Sequence, residues 1–300
     1  MLFSKINEGK FEFISSVFHL LFFTLTYLNV ARGESKCYKS LLFIIKLNND
    51  VSKQLTTEQA MRYNRQIVLP NFDLDKQEIL LNAKVLIVGV GGLGCAAAQY
   101  LVAAGIGEMT LIDDDNVEKT NLQRQVLHGE ADIGVNKCVS AKTSLEQLNS
   151  DIKINILQKR LEIDDYFELI QPFDMVLDCT DNLASRNILN QACYQSGKAL
   201  VSGAAIRMEG QLMSIVPQQN SACYACISAY FGEQNLSCVE SGVMSPVVGI
   251  IGAMQALEAI KVLCHYGESH INKLMMFDGM TSTWQRFKVS KKIDCEVCSR

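Results

Sequence analysis

The feature that most constrains the fold is a glycine-rich turn between an apolar run and a helical segment. Lys84 to Val88 (KVLIV) is typical of a short β-strand, and GVGGLG follows it directly. Gly89, Gly91 and Gly94 have the G-x-G-x-x-G spacing, in the strand-to-helix context that gives this motif its meaning. Glycines allow a tight turn and let backbone N–H groups approach a phosphate. The turn therefore predicts a nucleotide-binding βαβ unit.

The chain after this turn alternates helices with strands. An Ala- and Leu-rich helical stretch, Cys95 to Ala104, ends at Gly105, and a buried-strand run follows at 109–112. Further strands are indicated at 153–157, 175–178 and 199–202. The first half is therefore predicted to be a doubly wound parallel sheet.

The second half has a different pattern. A long helix is indicated from Pro246 to His265, and short alternating runs lie at 211–216, 274–277 and 284–289. Antiparallel strands that continue the same sheet fit these runs, and no Ser/Pro-rich linker marks a second domain. The predicted fold class is α/β, a Rossmann-like doubly wound sheet whose parallel first half is continued by antiparallel strands.

Residues 1–50 are set apart as an N-terminal extension from residues 51–300, which we predict to form one domain. The stretch 13–31 has 19 residues without a charged side chain, close to the roughly 20 that a membrane-spanning helix needs. It also contains Ser, Thr, His and Asn, and no clear small-x-small cleavage site follows it. Three interpretations stay open: a dispensable extension or start-site artefact, a membrane anchor, and a cleaved signal.

Composition excludes some classes of partner. The 28 Lys and Arg against 32 Asp and Glu give a net charge of -4, and no long basic run is present, which argues against a nucleic-acid-binding protein. Eleven cysteines in 300 residues are too few for a disulfide framework and suggest reduced thiols or metal ligands. The expected location is the reducing cytoplasm.

The glycine turn alone leaves two kinds of nucleotide enzyme open. Asp113, at the end of the second strand, is placed to accept hydrogen bonds from ribose hydroxyls, as in an NAD-dependent oxidoreductase, and Asp114 and Asp115 are expected to be solvated turn carboxylates. A nucleoside-triphosphate enzyme also needs cations for the outer phosphates and a carboxylate for Mg²⁺. Lys137 and Asp181 supply such groups, together with Arg124 of the NLQRQ segment.

Several motifs together resemble one family. MRYNRQIVLP at 61–70, GVGGLG, NLQRQ at 121–125, LDCTDN at 177–182 and two CxxC pairs are similar to those of the MoeB/ThiF/HesA adenylyltransferases, relatives of the ubiquitin-activating enzymes. The resemblance covers about residues 55–300. VSGAAIRMEGQ at 201–211 and the CVESG segment resemble the molybdopterin-synthase branch more than the thiamine-pathway branch.

The resemblance implies a reaction and a partner. ATP and the C-terminal glycine carboxylate of a small ubiquitin-like sulfur-carrier protein, the small subunit of molybdopterin synthase, would give an acyl-adenylate and pyrophosphate in molybdenum cofactor biosynthesis. A homodimer is also implied. Because a carboxylate is a poor nucleophile toward an anionic phosphate, catalysis is expected to rest on positioning and charge neutralisation.

The resemblance also assigns roles to residues. Asp181 would hold Mg²⁺, Lys137 and Arg65 would contact phosphates, and Arg124 would reach the ATP bound by the partner subunit. The remaining nucleotide-binding residues implied are Gly89, Gly91, Gly92, Gly94, Asp113, Thr120, Asn121, Leu122, Gln123 and Asn182.

Ten of the eleven cysteines fall into three groups. Spacing alone leaves a zinc site, a redox pair or unpaired thiols open for the two CxxC pairs, and the resemblance implies a structural zinc held by Cys223, Cys226, Cys295 and Cys298. Cys238 lies in a polar segment and is either a loop cysteine or, in a thiamine-pathway enzyme, an acceptor for a covalent step. Core packing is expected for Cys95, Cys138, Cys179, Cys193 and Cys264, and a structural role for His128.

Other readings stay open beside adenylation of a sulfur carrier. One is the thiamine-pathway enzyme with its covalent step at Cys238, and another is adenylation of a tRNA or small molecule, which the charge balance disfavours. From a different class, a Rossmann domain could bind a nucleotide and a partner without turnover.

Overall fold

The computed structural model describes residues 52–231 and 242–299, and of residues 229–231 the backbone alone. Eight strands are found there: β1 (Lys84–Val88), β2 (Glu108–Ile112), β3 (Lys153–Leu157), β4 (Met175–Asp178), β5 (Ala199–Ile206), β6 (Glu209–Ile215), β7 (Lys273–Asp278) and β8 (Thr283–Lys288). They form one sheet in the order β3-β2-β1-β4-β5-β6-β7-β8. Pairing is parallel from β3 to β5 and antiparallel from β5 to β8. The predicted fold class is confirmed.

Helices cover this sheet. In chain order they are α1 (Thr57–Arg62), α2 (Asn64–Ile67), α3 (Asp73–Asn82), α4 (Gly92–Ala104), α5 (Lys137–Leu148), α6 (Ile163–Leu169), α7 (Leu183–Gln195), α8 (Ala225–Phe231) and α9 (Ser245–Cys264). Crossover helices after β1, β2, β3 and β4 connect the parallel strands, as such connections require.

The inner parallel strands β1, β2 and β4 are buried on both faces, whereas the edge strand β3 is only partly buried. Val85, Leu86 and Ile87 of β1 are each 0% exposed, which explains the continuous apolar run of this strand. The last strand differs, since every residue from Thr283 to Lys288 is exposed. Burial therefore decreases across the sheet toward β8.

Helix α9 crosses the middle of the fold. It packs against α4, β5 and β6. Gly252 allows close contact with α4, because a Cβ there would lie 2.4 Å from the Leu93 carbonyl oxygen. By length and composition α9 is the one helix of the described part of the chain that could span a membrane, and half of its most apolar window is buried inside this fold. Those contacts are the ones expected of a core helix. The apolar stretch 13–31 lies outside the described residues.

The helices that precede β1 lie at the far end of α4 from the glycine turn. Gln66 of α2 donates from Nε2 to the Ala104 carbonyl oxygen at 3.1 Å, and Arg62 of α1 donates from Nη2 to the carbonyl oxygen of Leu148, the last residue of α5. The C-terminal ends of α4 and α5 lie at the amino-terminal ends of the parallel strands, opposite the glycine turn.

Candidate nucleotide site and cysteine cluster

The glycine turn is shaped by contacts that leave no room for side chains. Gly89 has a left-handed φ of +92°, and a Cβ there would lie 2.7 Å from the Cys179 carbonyl oxygen. A Cβ at Gly94 would lie 2.0 Å from the Gly89 carbonyl oxygen, and one at Gly92 would lie 2.3 Å from Cγ1 of Val248 in α9. The turn therefore packs against β4 and α9 and presents the start of α4, where backbone N–H groups are free to meet a phosphate.

Asp113 lies beside this turn. Its Oδ2 accepts a hydrogen bond from the Val90 N–H at 2.7 Å, and its Oδ1 accepts one from the Asp115 N–H at 3.0 Å. Burial raises the pKa of Asp113, and the attraction of Lys137 together with these two N–H groups opposes the rise only in part. These two hydrogen bonds fix the Asp113 carboxylate at the end of β2, beside the glycine turn.

Lys137 is the first residue of α5 and is 7% exposed. Its Nζ lies 2.6 Å from Oδ2 of Asp115 and 4.0 Å from Oδ1 of Asp113. Burial alone would lower the pKa of Lys137, but attraction to Asp113, Asp115 and Asp181 raises it overall. The prediction for Asp115 was incomplete: its side chain is 66% exposed, yet it holds this lysine.

The turn after β4 brings Asp181 to the same edge. Thr180 lies against the glycine turn, since a Cβ at Gly89 would lie 3.3 Å from its backbone nitrogen. Asp181 is exposed and acts on Lys137 through its charge. Asn182 caps α7, with Oδ1 accepting from the Ser185 N–H at 2.9 Å. The structure thus places Lys137 and Asp181 close enough for electrostatic interaction.

The NLQRQ segment continues a short 3-10 helix, Lys119–Asn121, as a turn beside the start of α4. Oδ1 of buried Asn121 accepts from the Glu118 N–H, and Arg124 donates from Nη1 to the Thr120 carbonyl oxygen at 3.1 Å. Cγ of Arg124 lies 3.5 Å from where a Cβ of Gly92 would be, so this arginine lies beside the helix start of its own chain. The half-buried Leu122 and exposed Gln123 complete the turn.

Arg65 is not brought to this site. It is exposed on α2, whose neighbouring side chains contact the C-terminal ends of α4 and α5. Helix α4 has 13 residues, so its two ends are about 20 Å apart. An arginine side chain cannot span that distance within one chain.

A buried ion pair below the site was not predicted. Asp178, 0% exposed, lies 3.4 Å from Nε of Arg186 in α7. Its oxygens also accept from Oγ of Ser202 at 2.8 Å and from Oγ1 of Thr180 at 2.6 Å. Gln255 of α9 donates to the Asp178 carbonyl oxygen at 2.7 Å. An aspartate at the end of the apolar run MVLD was the sequence signal that could have found it, because a carboxylate there requires partners.

The two CxxC pairs meet. The sulfur atoms of Cys223, Cys226, Cys295 and Cys298 all lie within 4.8 Å of one another and the four residues are buried. The Cys223 and Cys295 sulfurs are 3.6 Å apart, and those of Cys226 and Cys298 are 3.4 Å apart. In a tetrahedral site with Zn–S bonds of about 2.3 Å, sulfur atoms lie about 3.8 Å apart. The four thiols therefore fit a closed zinc site.

Proton affinities differ within this cluster. Burial raises the pKa of Cys223 to about 11, although the Asn190 amide lowers it in part. Burial would also raise the pKa of Cys295, but the N–H groups of Cys298 and Val297 lower it to about 7. A thiolate is the form that binds a metal, and Cys295 is the thiol most ready to supply it.

The remaining described cysteines are packing residues, as predicted. Cys95, Cys138, Cys179, Cys193 and Cys264 are all buried without a disulfide. His128 is buried and bonds Oγ of Ser140 at 2.8 Å, and burial lowers its pKa, which agrees with a structural role. Cys238 lies outside the described residues.

The fold and this site define a class of nucleotide-binding enzyme, in which a phosphate-binding Rossmann-like half is continued by an antiparallel half with a four-cysteine cluster. The chain belongs to the ThiF family, whose profile matches residues 63–297. The resemblance found in the sequence motifs is thereby confirmed.

Curated relatives and solved structures agree with this family. The chain is 49% identical over 247 residues to the molybdopterin-synthase adenylyltransferase of Salmonella typhimurium, covering 82% of this chain and 99% of that one. It is 45% identical over 249 residues to the adenylyltransferase and sulfurtransferase MOCS3 of Drosophila persimilis, covering 82% of this chain and 55% of that one. A crystal structure of Escherichia coli MccB with ATP is similar with a TM-score of 0.66 and 27% identity, covering 75% of this chain and 69% of that one.

Proposed function

We propose that this protein uses ATP to adenylate the C-terminal glycine carboxylate of a small ubiquitin-like sulfur-carrier protein, the small subunit of molybdopterin synthase, in molybdenum cofactor biosynthesis. Similarity to adenylyltransferases named for molybdopterin synthase, over nearly the whole length of those relatives, supports the substrate. The chemistry is supported by the described residues themselves.

The observation that carries this proposal is the group of charges beside the glycine turn. A hydride-transfer enzyme needs only a binding site for one pyrophosphate. This chain has additional charged groups there: Lys137 is a buried cation facing the Asp113 carboxylate, and the Asp181 carboxylate is near enough to raise the pKa of Lys137. A buried cation at the start of α5 and an exposed carboxylate in the turn after β4 suit a nucleoside triphosphate with its metal. We therefore assign Asp113 to the ribose, the glycine turn to the phosphates, and Lys137 to the charge that develops on them.

The reaction is an in-line displacement. An oxygen of the glycine carboxylate forms a bond to the α-phosphorus of ATP, and the bond from that phosphorus to the bridging oxygen breaks. The electron pair leaves with pyrophosphate, so no proton has to be transferred. Asp181, with Asn182 beside it, would hold Mg²⁺, which supplies neutralisation of phosphate charge when bound. Lys137 and the N–H groups of α4 orient the phosphates, and Arg124 lies over the same helix start.

We also propose a homodimer. If Arg65 contacts the nucleotide, it does so from a second copy, because it lies at the opposite edge of the sheet from the glycine turn of its own chain. Two helices that pack together, α4 and α9, carry exposed apolar side chains, and Tyr100 is 58% and Leu257 47% exposed. The resemblance implies that Arg124 reaches the ATP of the partner subunit, but its side chain lies beside Gly92 of its own chain, so we assign it to the site of its own chain. Sedimentation of Leu257→Glu beside the wild type would test the dimer.

The location proposed is the cytoplasm, and the metal proposed for the four-cysteine cluster is a structural zinc. All nine cysteines of the described ranges lack a disulfide partner, which suits a reducing compartment. With four thiol ligands the cluster leaves no position open for a substrate, so zinc would stabilise the fold and take no part in the reaction.

Exchange of labelled pyrophosphate into ATP tests the function. We expect exchange that depends on a small carrier protein ending in Gly-Gly, and no stimulation by the same carrier lacking its last glycine. Exchange that ignores the carrier would contradict the proposal. Replacing Asp181 by Asn should abolish the exchange, whereas a domain that only binds nucleotide has no activity to lose.

Cys238→Ala separates the two sulfur-carrier pathways. The molybdopterin-synthase proposal expects full exchange and full carrier maturation in this variant. Loss of maturation with intact exchange would favour the thiamine-pathway enzyme with its covalent step.

A further inference from the structure

Arg186 connects two parts of the molecule that have separate roles. It lies on α7 and is 6% exposed. Its Nη2 donates to the carbonyl oxygens of Thr180 and Gly203, each at 2.9 Å, and its Nε lies 3.4 Å from Asp178. The guanidinium also lies 5.3 Å from the centre of the Tyr224 ring. One buried side chain therefore contacts the turn after β4 and the first CxxC pair.

Two of the residues that Arg186 contacts are next in sequence to residues with proposed roles. Thr180 precedes Asp181, so a hydrogen bond to the Thr180 carbonyl oxygen fixes the peptide plane from which Asp181 starts. Tyr224 follows Cys223 inside the first CxxC pair, and its N–H donates to Oδ1 of Asn190 at 2.8 Å. Asn190 lies one helical turn after Arg186, so the same face of α7 holds both regions.

Charge neutralisation alone does not explain these contacts. Asp178 needs a cation because it is fully buried, and any positive group would meet that need. Arginine adds a rigid planar fork that fixes several acceptors at once and stacks on an aromatic ring, which lysine does not. The contacts with Thr180, Gly203 and Tyr224 use that fork. Attraction to Asp178 and contact with Tyr224 raise the pKa of Arg186 although burial opposes this, so it stays charged.

We propose that Arg186 is a positioning residue that couples the four-cysteine cluster to the Asp181 turn, so that zinc in the cluster and MgATP at the turn strengthen each other's binding. The inference rests on the proposed function, because it takes MgATP as the ligand of the turn and zinc as the metal of the cluster. The coupling is reciprocal, as linkage requires.

The experiment is an equilibrium competition for zinc. The full-length, zinc-loaded protein is titrated with a chelator, with and without saturating MgATP, and the ratio of the two apparent zinc affinities is the coupling factor. We expect a factor of about five in the wild type, at the low end of known couplings. A factor of one in the wild type, or a protein that is purified without zinc, would overturn the inference.

Variants of two tyrosines near the cluster identify the route. Tyr224→Leu removes the ring from Arg186 and leaves the Asp178 pair intact, so the coupling factor should fall to about one. Tyr224→Phe keeps the ring and loses only the hydroxyl contact with Arg186, so it should keep most of the factor. Tyr194 is the matched control: its hydroxyl donates to the Ser221 carbonyl oxygen at 2.9 Å, beside the same CxxC pair. Tyr194→Leu should keep the wild-type factor. If Tyr224→Leu also keeps it, Arg186 is not the route.

Arg186→Lys tests the fork itself. It keeps a cation beside Asp178, so the fold is retained, and the coupling factor should fall toward one while the KM for MgATP rises more than kcat changes. An unchanged factor and KM in this variant would contradict a role for the fork. Calorimetry of MgATP binding separates the two proposals: if MgATP binds but the wild-type factor is one, only the coupling fails, and if MgATP does not bind, the proposed function fails too.

Discussion

The two halves of the sheet are stabilised in different ways. From β3 to β5 the strands are parallel, and the inner strands β2, β1 and β4 are almost fully buried. A single helix connects each of these strands to the next in the chain, and the candidate nucleotide site lies at their carboxyl ends. From β5 to β8 the strands are antiparallel and the last one is exposed along its whole length. There the segment carrying Cys295 and Cys298 is fixed by partners 72 residues earlier in the chain.

This difference predicts how substitutions in each half of the sheet should affect nucleotide binding and stability. The parallel half builds its site from backbone shape and a few charges, so small changes there should affect nucleotide binding directly. The antiparallel half has less buried apolar surface at its edge and depends on a cluster of thiols. Changes there should act on stability first, and on the nucleotide only through Arg186.

The largest expected effect belongs to the parallel half. Lys137→Met removes the buried cation shared by Asp113 and Asp115, and carrier-dependent pyrophosphate exchange should fall by about 10²–10³-fold, as when one preorganised electrostatic partner is removed. Zinc content should not change. Lys153→Met, which breaks an exposed pair with Glu108, is the control and should stay within about twofold. Exchange within tenfold of wild type in Lys137→Met would remove this residue from the site.

The next effect tests the antiparallel half. Cys295→Ser should lose the zinc and lower the free energy of unfolding by several kcal/mol. Structural zinc contributes about 10–16 kcal/mol of binding free energy in zinc-finger peptides, and the expected loss is part of such a contribution. Metal analysis and thermal melting measure both quantities. Cys264→Ala, at a buried thiol away from the cluster, should keep its zinc. A zinc-free Cys295→Ser with an unchanged melting temperature would contradict a stabilising role.

A smaller effect compares two glycines. Gly94→Ala places a methyl group 2.0 Å from the Gly89 carbonyl oxygen, so the turn must open, at a cost of about 1–3 kcal/mol and with weaker MgATP binding. Gly249→Ala in α9 is the matched control, because in the described residues no atom beyond the adjoining backbone of its own helix lies within 4 Å of the added Cβ. That helix should gain up to about 1 kcal/mol. Equal melting temperatures for the two variants would refute the close packing at Gly94.

The smallest effect is a shift on the pH axis. Burial raises the pKa of Asp113 above its ordinary value of 3.8. As the pH is lowered, MgATP binding should therefore begin to weaken at a higher pH than it would if Asp113 had an ordinary pKa. The folded state takes up this proton more readily than the unfolded state, so Asp113 itself favours folding at acid pH. As the pH is lowered, the affinity for MgATP should therefore fall, whereas protonation of Asp113 should not lower the melting temperature. Asp113→Asn should flatten the acid limb of the binding curve, and a limb that persists in the variant belongs to another residue.

Local sequence pattern was enough for most of the parallel half. The strands predicted at 84–88, 153–157 and 175–178 have the observed bounds. Those at 84–88 and 175–178 are continuous runs of mostly apolar residues that the fold buries, whereas 153–157 is an edge strand in which Ile154 alone is fully buried. The helix after the glycine turn begins at Gly92, three residues earlier than predicted, since glycines at its start hid the helical pattern. The strands at 199–206 and 209–215 extend toward each other beyond the predicted ends.

The local sequence pattern could not predict which residues far apart in the chain contact each other. The side chain of Arg186 reaches Asp178, Gly203 and Tyr224, and nothing in the spacing of these residues indicates that they meet. The position of Arg65 at the opposite edge of the sheet depends on how α2 packs against α4. The meeting of the four cysteines was predicted from the family resemblance, because the CxxC spacing alone left a zinc site, a redox pair or unpaired thiols open.

The distance in sequence between the two CxxC pairs has a consequence for synthesis. Cys223 and Cys226 leave the ribosome well before Cys295 and Cys298, so the nascent chain carries an open pair of thiols after the parallel strands have emerged. The cluster can be completed only after Cys298 has emerged from the ribosome. A product cut short by translation or by a protease before Cys295 would therefore reveal itself by the absence of bound metal, even with its glycine turn intact.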